Sequence, residues 1–196
     1  MSECIINVIM DKVAKCKDCI LKDKGRAFYK GNTSPKVAII GESPGESEIE
    51  VGVPFVGPSG EVLHEWIRNS NSGLEESIYF TNRVKCWPKV SGYQWGNYEQ
   101  AIEAKCDRFI DEELSILQPK FIITVGAVAF RYLFPEESSI LKNNGRVVVT
   151  NFGYGDVQVL SIVHPAFILR QEDKELLNQY YTGCRESISK FLQNVW

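Results

Sequence analysis

Four side chains in this sequence are of types that handle a flat polar ligand, and each falls where the chain is expected to turn: Glu42, Phe55, Asn82 and His164. Asn82 closes the run Ile78-Tyr79-Phe80-Thr81-Asn82. Its amide offers a donor beside an acceptor, which suits a pyrimidine edge. Uracil presents the matching order, whereas cytosine would leave polar groups unpaired at roughly 1–3 kcal/mol each in a buried site. An asparagine can flip, so a neighbour must hold its orientation, and its plainer use is to cap a turn. His164 ends an apolar run and precedes Pro165, a position from which the ring can reach a ligand or serve packing alone. Phe55 lies in the rigid Pro54-Phe55-Val56-Gly57-Pro58, either as core or as a stacking platform worth about 1–3 kcal/mol per base. Gly41-Glu42-Ser43-Pro44-Gly45 lets backbone amides approach a bound group, with Glu42 available for proton or water chemistry. No Gly-Lys-Ser/Thr follows it and no G-x-G-x-x-G opens there, so neither nucleotide fingerprint is present. Glu42, Glu46, Glu48 and Glu50 would also repel a phosphate, and an acidic surface turn is the alternative.

The six cysteines form a second group of candidates. Cys16 and Cys19 make a C-x2-C turn, while Cys86 and Cys106 stand downstream with nineteen residues between them. Four sulfurs from three segments could close a metal site, zinc or iron–sulfur, and could equally be isolated buried thiols. Cys4 and Cys184 match no spacing of that kind.

These residues need elements to position them. Short apolar runs predict strands at 36–41, 78–82, 121–126 and 157–163, the last pairing with 146–150 across a turn-rich segment. Helices are predicted from Ser59, with Val62, Leu63, Trp66 and Ile67 on its face, and from an Asn97/Gln100 capping box carrying Ile102, Cys106, Phe109, Ile110, Leu114 and Leu117. Further helices are expected at 127–133 and 172–195, and His64 is expected at the surface beside its helix's apolar face. Strands alternating with helices imply a mostly parallel sheet covered on both faces, with ligands beyond the carboxyl ends of its strands. Those ends are Gly41 to Gly45, Asn82-Arg83, Gly126 and His164-Pro165.

The chain's 196 residues, 44% hydrophobic and 24% charged, suit one soluble domain spanning 1–196. No apolar run approaches membrane-spanning length and no secretory leader is evident, so a cytoplasmic protein with no membrane partner is expected. The formal net charge of -3 conceals an asymmetry: residues 12 to 36 hold eight Lys or Arg against two Asp. Such a stretch is either a nucleic-acid contact or a solvated lead-in to the fold.

Taken in order, these segments resemble the family 4, iron–sulfur uracil-DNA glycosylases. The similarity runs through Gly41-Glu42-Ser43-Pro44-Gly45-Glu46, then 52–60 around Phe55, then Thr81-Asn82-Arg83-Val84-Lys85-Cys86, and closes with His164-Pro165-Ala166-Phe167-Ile168-Leu169-Arg170. The resemblance implies a three-layer α/β/α sandwich on a four-stranded, mostly parallel sheet, acting as a monomer that removes uracil from DNA. It implies a structural [4Fe-4S] cluster on Cys16, Cys19, Cys86 and Cys106. Phe55 would stack on the uracil, Asn82 would read its edge, and His164 would meet its O2 side. Gly41, Glu42 and Ser43 would line the pocket, with Glu42 and His164 carrying the catalysis. Glu48 would crowd C5 and refuse thymine. Ser59, Lys85, Lys89, Ala166 and Arg170 would contact DNA, the segment through Arg170 wedging into the duplex.

Two departures stand out. Glu48-Ile49 replaces the family's usual Glu-Asp, and 87–96, with Trp87, Lys89, Tyr93 and Trp95, lacks the usual Arg-Pro-Pro character. The basic, His-containing insert of uracil-crosslinking relatives is not evident. The retained pocket set favours an enzyme, and the loss of a carboxylate at Ile49 leaves open a non-catalytic DNA-binding accessory protein on the same scaffold.

Overall fold

A computed structural model describes residues 2–70, 73–89, 99–137 and 139–195. Six strands form one sheet: β1 Tyr29–Gly31, β2 Val37–Gly41, β3 Ile78–Asn82, β4 Phe121–Val125, β5 Val147–Asn151 and β6 Asp156–Ile162. Their order is β1-β3-β2-β4-β6-β5. The inner neighbours β3, β2, β4 and β6 run parallel, while β1 and β5 pair antiparallel at the two edges. The expected four-stranded sheet is thus corrected to a mixed six-stranded one. β1 has no signature in the sequence, because Tyr29-Lys30-Gly31 is short, polar and set in the basic stretch, with no apolar run to mark it. β5 pairs with β6 as anticipated, and as a strand of alternating exposure it adds an edge to the sheet.

Helices cover both faces. In β2, Val37 and Ile39 face one side and Ala38 and Ile40 the other, the period-2 alternation of a strand buried on both faces. The first side packs against α3 (Pro58–Ser70) and α8 (Lys174–Gln193) through Leu63, Trp66, Ile67, Ile188 and Phe191. The second side packs against α1 (Ser2–Lys15), through Ile6, Ile9, Met10 and Val13, and α4 (Glu99–Leu117), through Phe109, Ile110, Leu114 and Leu117. The helices α2 (Glu46–Val51), α5 (Ala127–Leu133), α6 (Ile140–Asn143) and α7 (Pro165–Leu169) are short and join these layers. The result is an α/β/α sandwich-like arrangement. No helix among the described residues is long and apolar enough to cross a membrane.

The helix starts follow their local chemistry. α3 begins at Pro58, whose missing N–H is no loss in a first turn, so Ser59 sits inside the helix instead of capping it. Asp173 caps α8 by accepting from the N–H groups of Glu175 and Leu176. The anticipated box at Asn97 lies outside the described residues, as do Tyr93 and Trp95. Glu46 to Glu50, read above as an acidic loop, form α2, with acidic residues in its first turn where the helix dipole favours them.

Candidate active site at the strand ends

Parallel pairing sets Gly41 directly opposite Asn82, and Val125 opposite Ile162, at the carboxyl edge of the sheet. The ladder continues past the strands, as Arg83 N–H donates to Gly41 O at 3.0 Å and Val84 N–H to Glu42 O at 2.9 Å. Asn82 is therefore held rigidly by its backbone and is only 4% exposed. Among the described residues its amide has no hydrogen-bond partner in the protein. A donor and an acceptor are thus left for a ligand.

The next residue anchors that strand end. Arg83 donates to both oxygens of Asp107, at 2.6 and 2.8 Å, to Glu103 at 2.6 Å and to the Val128 carbonyl at 3.0 Å. Glu103 also accepts from Arg131 at 2.8 Å. This bidentate, charge-assisted set ties β3 to α4 and α5. The sequence carried no sign of it, because the partners are distant and belong to a helix face that reads as solvated.

Phe55 adopts a left-handed backbone conformation, with φ at 58°. For a bulky residue this costs on the order of 1–3 kcal/mol and persists only where the surroundings impose it. Its ring, 6% exposed, lies 6.0 Å from that of Phe80 at a 60° tilt. A Cβ at Gly60 would come within 2.3 Å of the Phe55 carbonyl oxygen, so only glycine admits this close approach. Glu48 braces the same wall, accepting from Gly45 N–H at 3.0 Å with one oxygen and from Gly57 N–H at 2.9 Å with the other. The side chain of Ile49, where the family usually has Asp, packs against Gly25, where an added Cβ would lie 2.2 Å away.

His164 follows β6 and caps α7, its Nδ1 accepting from Ala166 N–H at 3.1 Å. That bond settles the tautomer: in the neutral ring Nε2 carries the hydrogen and is the nitrogen left to donate. Burial, then the charge of Arg170, pushes the imidazole pKa down to about 4, against the opposing pull of Glu48. The ring is consequently neutral at ordinary pH.

Glu42, Ser43, Glu48, Phe55, Asn82 and His164 line one pocket of about 330 Å³, with Ser59, Trp87, Ala166 and Arg170 also on its wall. Gly41 lies beneath it, touching both Asn82 and Phe55. Lys89 is exposed nearby, its ammonium 5.1 Å from the Trp87 ring centre. Lys85 is not brought to this surface. It is 1% exposed, donates to Thr81 Oγ1 at 2.5 Å and pairs with Glu113, which also accepts from Tyr79 at 2.9 Å. Its expected DNA contact is therefore corrected: the buried Glu113 carboxylate and the Thr81 hydroxyl hold the ammonium inside the protein. His64 is likewise corrected from surface to interior, being 2% exposed.

The cluster expectation is also overturned. Cys86, Cys106 and Cys19 share a small apolar patch with Leu21, Val84 and Ile102, with Cys16 close enough to act electrostatically on Cys86. Yet among the described residues no three or more Cys, His, Asp or Glu side chains stand together in an arrangement that could hold a metal ion. The residues thus do not fit a [4Fe-4S] cluster. They pack as thiols: burial pushes Cys86 up to about 11 and also raises Cys106, while Cys16 Sγ accepts from Arg108 at 3.6 Å. Spacing and resemblance brought the four cysteines to one corner of the fold; neither specifies where the sulfurs point.

A model of the uracil DNA glycosylase superfamily matches residues 28–187, a span that includes every strand and the whole pocket. The chain belongs to this superfamily, in its family 4 branch. A Type-4 uracil-DNA glycosylase of Sulfurisphaera tokodaii is 30% identical over 185 residues, covering 91% of this chain and 82% of that protein. The namesake of Thermotoga maritima is 30% identical over 88% of this chain and 87% of its own length, and that of Saccharolobus solfataricus 30% identical over 94% and 87%. In this family 4 chain the matched span begins after the basic stretch is largely past, so α1 and the first cysteine pair lie outside it.

Proposed function

We propose that the pocket receives a uracil turned out of duplex DNA and hydrolyses its N-glycosidic bond, leaving an abasic site. The observation that carries this reading is His164, neutral and with Nε2–H free to donate, on the same wall as Phe55 and the unpartnered amide of Asn82. Turning a base out of the stack costs a few kcal/mol, least at a mispair, which favours deaminated cytosine opposite guanine. Phe55 supplies a face for the flipped ring, and the Asn82 amide meets the O4 and N3–H edge. Because both Glu48 oxygens are already engaged by backbone N–H groups, that side chain is a fixed wall suited to refusing a methyl at C5.

As the C1′–N1 bond breaks, its electron pair passes to the departing ring and gathers at O2, where a preorganised Nε2–H stabilises it. Removing one such donor costs about 100- to 1000-fold in rate. Glu42 orients the water that attacks C1′ and takes up its proton, and the released uracil anion is reprotonated from solvent. Ser59, Lys89, Ala166 and Arg170 would meet the DNA around the pocket mouth, and the basic stretch would add phosphate contacts.

The deciding experiment incubates the protein with duplex DNA containing one uracil and scores alkali-labile abasic sites, with thymine in place of uracil as the control. Cleavage at uracil alone is expected, lost by a factor of about 100 or more in Asn82→Ala and His164→Ala without loss of DNA affinity. Folded protein that binds the duplex and leaves uracil in place would overturn the reading.

A further inference from the structure

The polar ring of His64 is buried on a helix face that a leucine would fill as well, and a buried imidazole needs a hydrogen-bonded reason to be there. One turn after Gly60 on α3, His64 places Nε2 3.0 Å from the Phe55 carbonyl oxygen. A carbonyl can only accept, so Nε2 donates. On the other side of the ring, Nδ1 lies 2.7 Å from Glu75, in the short turn before β3. Lys30 Nζ stands 3.4 Å from Nε2, and the ring packs 5.1 Å from Phe80, itself in contact with Phe55. The carbonyl so held belongs to the residue whose backbone is strained at φ 58°.

We infer that His64 is a positioning residue: by holding the Phe55 carbonyl it keeps the left-handed backbone that presents the Phe55 ring to the flipped base. The inference rests on the reading of the pocket given above. His64 touches no substrate; it acts through Phe55. Releasing the carbonyl lets residue 55 relax toward negative φ and swings the ring away from its stacking position.

The test compares His64→Leu, which fills the site without a donor, with His64→Gln, whose amide nitrogen can donate to the same carbonyl. His64→Leu is expected to lower single-turnover uracil excision about 10- to 100-fold and to weaken inhibition by free uracil about 10-fold. Affinity for undamaged duplex should be unchanged, and His64→Gln should recover to within about threefold of wild type. Wild-type behaviour in His64→Leu, or equal loss in both variants, overturns the inference. Should His64→Leu fail to fold, His64→Asn, too short to reach the carbonyl, takes its place in the comparison. The carbonyl carbon-13 resonance of Phe55 provides a readout independent of activity, moved in His64→Leu and kept in His64→Gln. If the wild type excises nothing, the glycosylase reading fails while this resonance still decides the positioning, and an unmoved signal in His64→Leu rejects it.

Discussion

Gly41→Ala is a one-carbon perturbation of the pocket that leaves the backbone alone. Gly41 ends β2 in ordinary strand geometry, so alanine suits its conformation. The new Cβ, however, would lie 2.3 Å from Asn82 Oδ1 and 2.6 Å from Phe55 Cζ, where ordinary contact begins at 3.4 Å. The strands cannot part, because Arg83 N–H is bonded to the Gly41 carbonyl across them. The two side chains must therefore retreat, the amide by about 1 Å, a displacement that typically costs about 100-fold in rate, or about 2.7 kcal/mol. Overpacking costs about 1–3 kcal/mol in a closed core and falls toward the lower end here, since the pocket is open. Single-turnover excision from a uracil duplex, thermal melting and duplex affinity would be measured together. The rate is expected to fall about 100-fold, the melting temperature by about 2–4 °C, and affinity not at all. Gly183→Ala is the control: nothing lies within 4 Å of the added Cβ, and alanine in the interior of α8 should stabilise by up to about 1 kcal/mol with activity intact. A Gly41→Ala enzyme within threefold of wild type would refute the claim that Asn82 and Phe55 act from their observed positions.

Three further expectations use other parts of the site. The His164 pKa falls from 6.5 to about 4 on folding, so the unfolded chain binds the extra proton between these values, and stability present above pH 6.5 is lost as pH drops toward 4. The limit is about 3 kcal/mol, trimmed by partial solvent contact to about 1–2, and melting curves of wild type against His164→Gln between pH 7 and 4 should converge as the pH falls. Lys85→Met strands the buried carboxylate of Glu113 and should destabilise by about 3–5 kcal/mol in denaturant titration. The salt dependence of its DNA binding should match wild type, whereas a lost phosphate contact would reduce the slope by about 1. Glu48→Gln can accept only one of the two backbone N–H groups that the carboxylate now takes, and excision should drop about tenfold with a loss of about 1 kcal/mol in stability.

What could be read in the sequence was what depends on local pattern. The inner strands announce themselves as short apolar runs, and ligands of such sheets bind beyond the strands' carboxyl ends, so Gly41, Asn82 and His164 stand out as candidates from the sequence, and the fold brings them to one pocket. The rigid surroundings of Phe55 mark it as a candidate, but nothing in its residue type signals the left-handed backbone it adopts. What stayed hidden depends on long-range geometry. β1 has no apolar signature and exists because β3 offers it an edge. Resemblance puts Lys85 on DNA and helix periodicity puts His64 at the surface, and only the tertiary structure supplies Glu113 and the Phe55 carbonyl as partners. The cysteine pattern located a corner of the fold without specifying the convergence of sulfurs that a metal would require.

The five residues from Asn82 to Cys86 have four different destinations. Asn82 opens into the pocket, Arg83 locks onto α4 and α5, Lys85 is sealed against Glu113, and Val84 and Cys86 join the apolar patch. Backbone bonds from the N–H groups of Arg83 and Val84 to the carbonyls of Gly41 and Glu42 fix the register here, so inserting or deleting one position would move all the later residues off their partners together. A point substitution here breaks one of these contacts, whereas a change of length breaks them together. Over evolutionary time the residue count of this stretch should therefore stay frozen.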